Sequence, residues 1–141
     1  MTTTQESAAG NQKKILVVED ETISLRAIGQ LLESNGYAVV SAADGATAVN
    51  LAVTESPDLV ILDLGLATND PFGPQWDGFG VMDWLNRMRT STRIPVIILT
   101  SMDPTNTQER ALEAGAVAFF QKPANQDELL AAIRIALGEN C

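Results

Sequence analysis

The sequence predicts an α/β protein: a doubly wound sheet of five parallel strands, with five helices on its two faces. Three observations carry this. Five short apolar runs alternate strictly with five segments of helical periodicity. The runs are nearly continuous and mostly rich in β-branched residues, as suits strands buried on both faces. Consecutive parallel strands need right-handed crossovers, which place helices on both sides of the sheet. The chain has 141 residues, 45% of them hydrophobic. That is enough for one domain with a real core. The expected domain spans 13–138, between a polar N-terminal tail at 1–12 and a C-terminal tail at 139–141.

Each element has its own signature. Lys14 to Val18 (KILVV) reads as the first strand. From Glu21 to Asn35, Ile28, Leu31 and Leu32 recur at helical spacing, with Ile23 and Leu25 a turn or so earlier, and Gly36 stops the helix. Tyr37 to Ser41 is the second strand. Asp44 to Ser56 is a helix with an apolar stripe of Ala48, Val49, Ala52 and Val53, ended by Pro57. Leu59 to Leu62 is the third strand, and a Gly/Pro/Asp-rich loop runs from Asp63 to Trp76. Phe79, Met82, Leu85 and Met88 mark the third helix. Pro95 to Leu99 is the fourth strand, with Pro95 tolerated at its first position. Thr105 to Ala114 is the fourth helix, closed by Gly115. Val117 to Phe120 is the fifth strand. Asp127 to Leu137 is the last helix, with Leu129, Leu130, Ile133 and Leu137 inward. Asp44 and Asn125 stand where helix N-caps belong.

Composition narrows the function. Nine basic against 18 acidic residues give a net charge of −9. Nucleic acid and anionic membrane are poor partners for such a chain, because phosphate binding needs clustered Lys and Arg. There is no histidine, so histidine nucleophiles, bases and metal ligands are excluded. The single cysteine, Cys141, allows no internal disulfide and no CxxC site. No apolar run approaches the ~20 residues of a membrane span, and no secretory signal is visible. A cytoplasmic location is expected.

The chemistry gathers at the strand exits. The first strand leads into Glu19-Asp20-Glu21, the third into Asp63, the fourth into Thr100-Ser101 and the fifth into Lys122-Pro123. In a parallel sheet these exits share one edge, where open α/β sheets bind ligands. Carboxylates suit a hard divalent cation such as Mg2+. Lys122 and Thr100 supply charge and hydrogen bonds for a phosphoryl group. A carboxylate beside the metal can attack phosphorus and form an acyl phosphate. Singly, each residue has an ordinary reading: acidic residues cap helices and solvate loops, Thr100 caps a helix, Lys122 lies on the surface. Four of them at four strand exits are hard to explain as caps.

The runs KILVVEDE, LVILDL and VIILTS and the triplet QKP, in this order, resemble the receiver domain of two-component response regulators. The resemblance covers roughly 13–138. It implies the flavodoxin-like strand order 2-1-3-4-5 and a phospho-acceptor at Asp63. It implies a Mg2+ (or Mn2+) site from Asp20, Asp63 and the Gly65 carbonyl, with Glu19 acting through water. Thr100 would be the switch hydroxyl, Lys122 would bind the phosphoryl group, and Phe119 falls at the family's mobile aromatic. Phe119 also reads as an ordinary core aromatic. The implied function is that of a single-domain switch, phosphorylated by a histidine kinase or histidine phosphotransfer protein. It would be a monomer or weak dimer, not an enzyme beyond its own phosphorylation and dephosphorylation. It would signal to a protein target through its helix 4–strand 5–helix 5 face.

The alternative is a magnesium-dependent aspartyl-phosphate phosphohydrolase. Such enzymes place an acid–base aspartate two residues past the nucleophile, where this chain has Gly65, and they carry a cap domain for which there is no length. One departure from the receiver pattern stands out. The family's Met-Pro pair is replaced by Leu66-Ala67, and Asp77-Gly78 comes 14 positions after Asp63, later than is usual. The extra residues include Pro71, Phe72, Gly73, Pro74 and Trp76. They are expected to form a structured lid that slows hydrolysis and narrows partner choice, with a docking surface built on Phe72 and Trp76 as the other reading.

Overall fold

A computed structural model describes residues 12–66, 77–88 and 94–139. The strands are β1 (Lys14–Val18), β2 (Ala38–Ala42), β3 (Leu59–Leu62), β4 (Val96–Thr100) and β5 (Ala118–Gln121). The helices are α1 (Thr22–Ser34), α2 (Gly45–Thr54), α3 (Gly78–Met88), α4 (Thr107–Glu113) and α5 (Gln126–Ala136). The sheet is parallel throughout, in the order β2-β1-β3-β4-β5. Strand order reverses between β1 and β3, so their carboxyl ends border a crevice.

Alternation along each strand divides the interior in two. Leu16, Val18, Val60, Leu62, Val96 and Ile98 face one side, under α2, α3 and α4. Ile15, Val17, Leu59, Ile61, Ile97 and Leu99 face the other, under α1 and α5. This is why the runs read as continuous: side chains of period two meet a helix layer on either face.

The helix ends follow local chemistry. The Asp44 carboxylate accepts from the Thr47 N–H at 2.7 Å, and the Asn125 side chain accepts from the Glu128 N–H at 3.0 Å. Each satisfies an orphan donor of a first turn. Gly36 has φ 92°, a conformation that glycine adopts at little cost, and it ends α1.

Some expectations shift. β2, β4 and β5 each begin one residue later than their apolar runs suggest, and α4 is shorter, from Thr107 to Glu113. Thr100 thereby becomes the last residue of β4 rather than the first beyond it. Ile23 is 80% exposed, and Val53 is exposed too. Ile23 stands five residues from Ile28 and nine from Leu32, about 140° and 180° around the helix. It therefore faces away from the core that those two reach.

Candidate functional site

The sheet itself places three of the site residues. Beyond β1, the Glu19 N–H donates to the Ala42 carbonyl at 2.9 Å. Beyond β3, the Asp63 N–H donates to the Val18 carbonyl at 3.1 Å. Beyond β5, the Lys122 N–H donates to the Thr100 carbonyl at 2.8 Å. Each side chain thus leaves the backbone one ladder bond past its strand, at the same edge of the sheet.

The side chains then converge. One carboxylate oxygen each from Glu19, Asp20 and Asp63 lies within 4.8 Å of the others. The Lys122 ammonium reaches into this group. It is ion-paired with Glu19 and lies 3.2 Å from Asp63 Oδ2. Glu19 and Asp63 are buried, whereas Asp20 is exposed. The second Glu19 oxygen accepts from the Glu21 N–H at 3.0 Å, and Asp63 Oδ1 accepts from the Gly65 N–H at 2.9 Å. Thr100 is fully buried, and its hydroxyl oxygen accepts from the Met102 N–H at 3.3 Å.

Charge explains the ionisation. Burial pushes the Glu19 carboxyl up; bonds from Lys122 and the Glu21 amide offset part of this, and the Asp63 charge adds to it. Burial alone would pull the Lys122 ammonium down. The Glu19 hydrogen bond and the charges of Asp63 and Glu19 outweigh that and hold it above its ordinary value. The lysine is therefore charged at neutral pH, and it pairs with Glu19 and Asp63 within the cluster of three acidic groups. A cluster of hard oxygen donors with surplus negative charge suits a divalent cation.

The ordinary reading of Lys122 as a surface lysine does not hold: its side chain is only 17% exposed, drawn inward by two buried carboxylates. Phe119 is half-buried on β5 against the core beneath α2, α3 and α4. It pairs with Ile98, while Thr100 pairs with Gln121. Phe119 and Thr100 are thus on neighbouring strands two register steps apart. The expectations for Pro71, Phe72, Gly73, Pro74, Trp76 and Cys141 lie outside the described residues.

One contributor carries little mark in the sequence. Ser24 Oγ lies 3.4 Å from Lys122 Nζ and donates to Glu21 Oε1 at 3.1 Å. Nothing in a helical serine signals such a role. Asp77 caps α3: its carboxylate accepts from the Gly80 N–H at 2.8 Å. An aspartate before an apolar helical pattern is the signal that could have found it.

Comparison with known proteins agrees with this geometry. The family described as "Response regulator receiver domain" matches residues 15–134. The chain is 38% identical over 126 residues to the transcriptional regulatory protein KdpE of Mycobacterium tuberculosis, covering 89% of this chain and 51% of that protein. It is 32% identical over 135 residues to PdtaR of the same organism, covering 95% and 61%. The chain spans little more than half the length of these curated relatives. Among solved structures, the receiver domain of sensor histidine kinase PA1611 from Pseudomonas aeruginosa, with magnesium in its active-site cleft, superposes with TM-score 0.77 at 29% identity, covering 91% of this chain and 99% of that one. A response regulator from Chloroflexus aurantiacus gives 0.79 at 26% identity, covering 91% and 99%. By its sheet order, its acidic cleft and these matches, the chain belongs to the response regulator receiver domains of two-component systems.

Proposed function

We propose that Asp63 is the phospho-acceptor of this receiver. The observation that carries the reading is its convergence with Lys122, Glu19 and Asp20 at the carboxyl edge of β1 and β3. The donor is a phosphohistidine of a histidine kinase or phosphotransfer protein. A carboxylate oxygen of Asp63 bonds to phosphorus as the donor's phosphorus–nitrogen bond breaks. Asp20, Asp63 and the Gly65 carbonyl would hold Mg2+ or Mn2+. Glu19, already engaged by Lys122 and the Glu21 amide, contributes mainly charge. A cation held there would supply positive charge against the phosphoryl oxygens during transfer.

This chain's own residues do the rest. Asp63 is oriented by the Gly65 N–H. Lys122 stands ready to pair with a phosphoryl oxygen in place of a carboxylate. Thr100, at the end of a buried strand, offers its hydroxyl to the same group. Its shift inward makes room for Phe119, and the α4–β5–α5 face changes shape for a protein target. The net charge of −9 favours a protein as that direct target. The domain catalyses its own phosphorylation and dephosphorylation and turns over no separate substrate.

The test is intact-mass spectrometry after incubation with a small acyl phosphate and Mg2+. One phosphoryl group should be gained, and Asp63→Asn should abolish the gain. Labelling that persists in Asp63→Asn refutes the assignment.

A further inference from the structure

The polypeptide leaves the site at Asp63 and returns to it at Gly78. The Gly78 N–H donates to the Leu64 carbonyl at 3.3 Å. The approach is closer than any side chain allows. A Cβ on Gly78 would lie 2.4 Å from Leu64 Cα, 2.8 Å from the Asp63 carbonyl oxygen and 2.9 Å from Leu64 Cδ2. Two of these three atoms are backbone, so no rotamer change relieves the clash.

Neither side can easily withdraw. Leu64 is buried at 3% exposure, and the Asp63 N–H is tied to β1. On the other side, Val81, Met82 and Leu85 anchor α3 in the core, and Asp77 caps its first turn. The added Cβ therefore presses on the segment 63–65, which one buried side chain and one ladder bond hold, against three core side chains and a cap for α3. That segment carries the Asp63 carboxylate, whose Oδ1 is held by the Gly65 N–H.

We propose that Gly78 is a positioning residue for Asp63: its bare α-carbon seats the start of α3 against the Asp63–Leu64 peptide and so fixes the carboxylate and the Gly65 backbone. This rests on the reading of Asp63 as phospho-acceptor.

The experiment compares Gly78→Ala with Gly29→Ala. Gly29 sits in α1, where an added Cβ meets nothing within 4 Å, so it controls for a glycine replaced in a helix. Three readouts are taken on folded protein: Mg2+ affinity by calorimetry, phosphorylation rate by intact mass, and the NMR position of the Gly65 amide without metal. Gly78→Ala should shift the Gly65 amide and lower affinity and rate on the order of 10–100-fold, as misplaced reacting groups do. Gly29→Ala should change none of them. A Gly78→Ala protein that is merely less heat-stable, with all three readouts at wild-type values, overturns the proposal. Should Gly78→Ala not fold, amide exchange in the wild type decides. The Gly78 and Gly65 amides should then open together, and a freely exchanging Gly78 beside a protected Gly65 overturns it. If the wild type takes no phosphoryl group, the phospho-acceptor reading fails, while the Mg2+ and amide readouts still judge Gly78.

Discussion

Lys122 and Asp63, 59 residues apart in the chain, meet with Nζ 3.2 Å from Oδ2. The same ammonium is ion-paired with Glu19, which is 1% exposed. The lysine therefore has a structural task, since it compensates a buried carboxylate.

Lys122→Ala should for that reason destabilise the metal-free protein. Stranding Glu19 costs about 1–3 kcal/mol, the penalty of leaving a buried partner unsatisfied. The double variant Lys122→Ala/Glu19→Gln should recover part of the loss, because no buried charge is left unpaired. Urea midpoints of the wild type, Lys122→Ala, Glu19→Gln and the double variant measure the coupling. Strictly additive losses would mean that the ion pair contributes no coupling to stability.

Mg2+ should stabilise the wild type. At ten times the dissociation constant the gain is about 1.4 kcal/mol. Asp20→Asn should weaken binding, so the same Mg2+ concentration raises its midpoint less. Thermal melts with and without Mg2+ decide this, and equal gains in both proteins would remove Asp20 from the site.

Thr100→Ala should leave Asp63 able to accept a phosphoryl group but disconnect it from β5. Its hydroxyl is fully buried and holds the Met102 amide, so folding stability falls by about 1 kcal/mol. Amide exchange across Ala118–Gln121 should change on phosphorylation in the wild type and stay constant in the variant. A response of equal size in both would take the switch role from Thr100.

Tyr37 gives a pH signature remote from the cleft. Burial, together with its hydrogen bond to Glu139 at 2.9 Å, pushes the phenol up to about 12. The folded state holds this proton more tightly than the unfolded one, whose value is near 10. The contribution to stability is complete below pH 10 and is lost as pH rises from 10 to about 12. Tyr37 is the chain's single tyrosine, so phenolate absorbance after a rapid pH jump reports it alone. A midpoint near 10 in folded protein would contradict the buried bond, and Tyr37→Phe should cost about 1 kcal/mol.

Much of this was legible in the residues. Continuous β-branched runs specify strands covered on both faces, and their alternation with helices specifies parallel crossovers. Capping chemistry is local, so Asp44 and Asn125 were identifiable before any fold existed. Glu19, Asp20, Asp63, Thr100 and Lys122 could be picked out because a parallel sheet brings every strand exit to one edge. The sense of α1's inner face is readable from Ile28 and Leu32, and the spacing of Ile23 from them sets it on the opposite side, so its apolarity is no sign of burial.

What only the tertiary structure decided is how those exits interact. The ion pair of Lys122 with Glu19 and its contact with Ser24 span 103 and 98 residues. They depend on distances between strands and helices that no local preference encodes. The seating of Gly78 on Leu64 is of the same kind. A glycine in the sequence shows only that a side chain is missing; the packed fold shows which backbone fills its place.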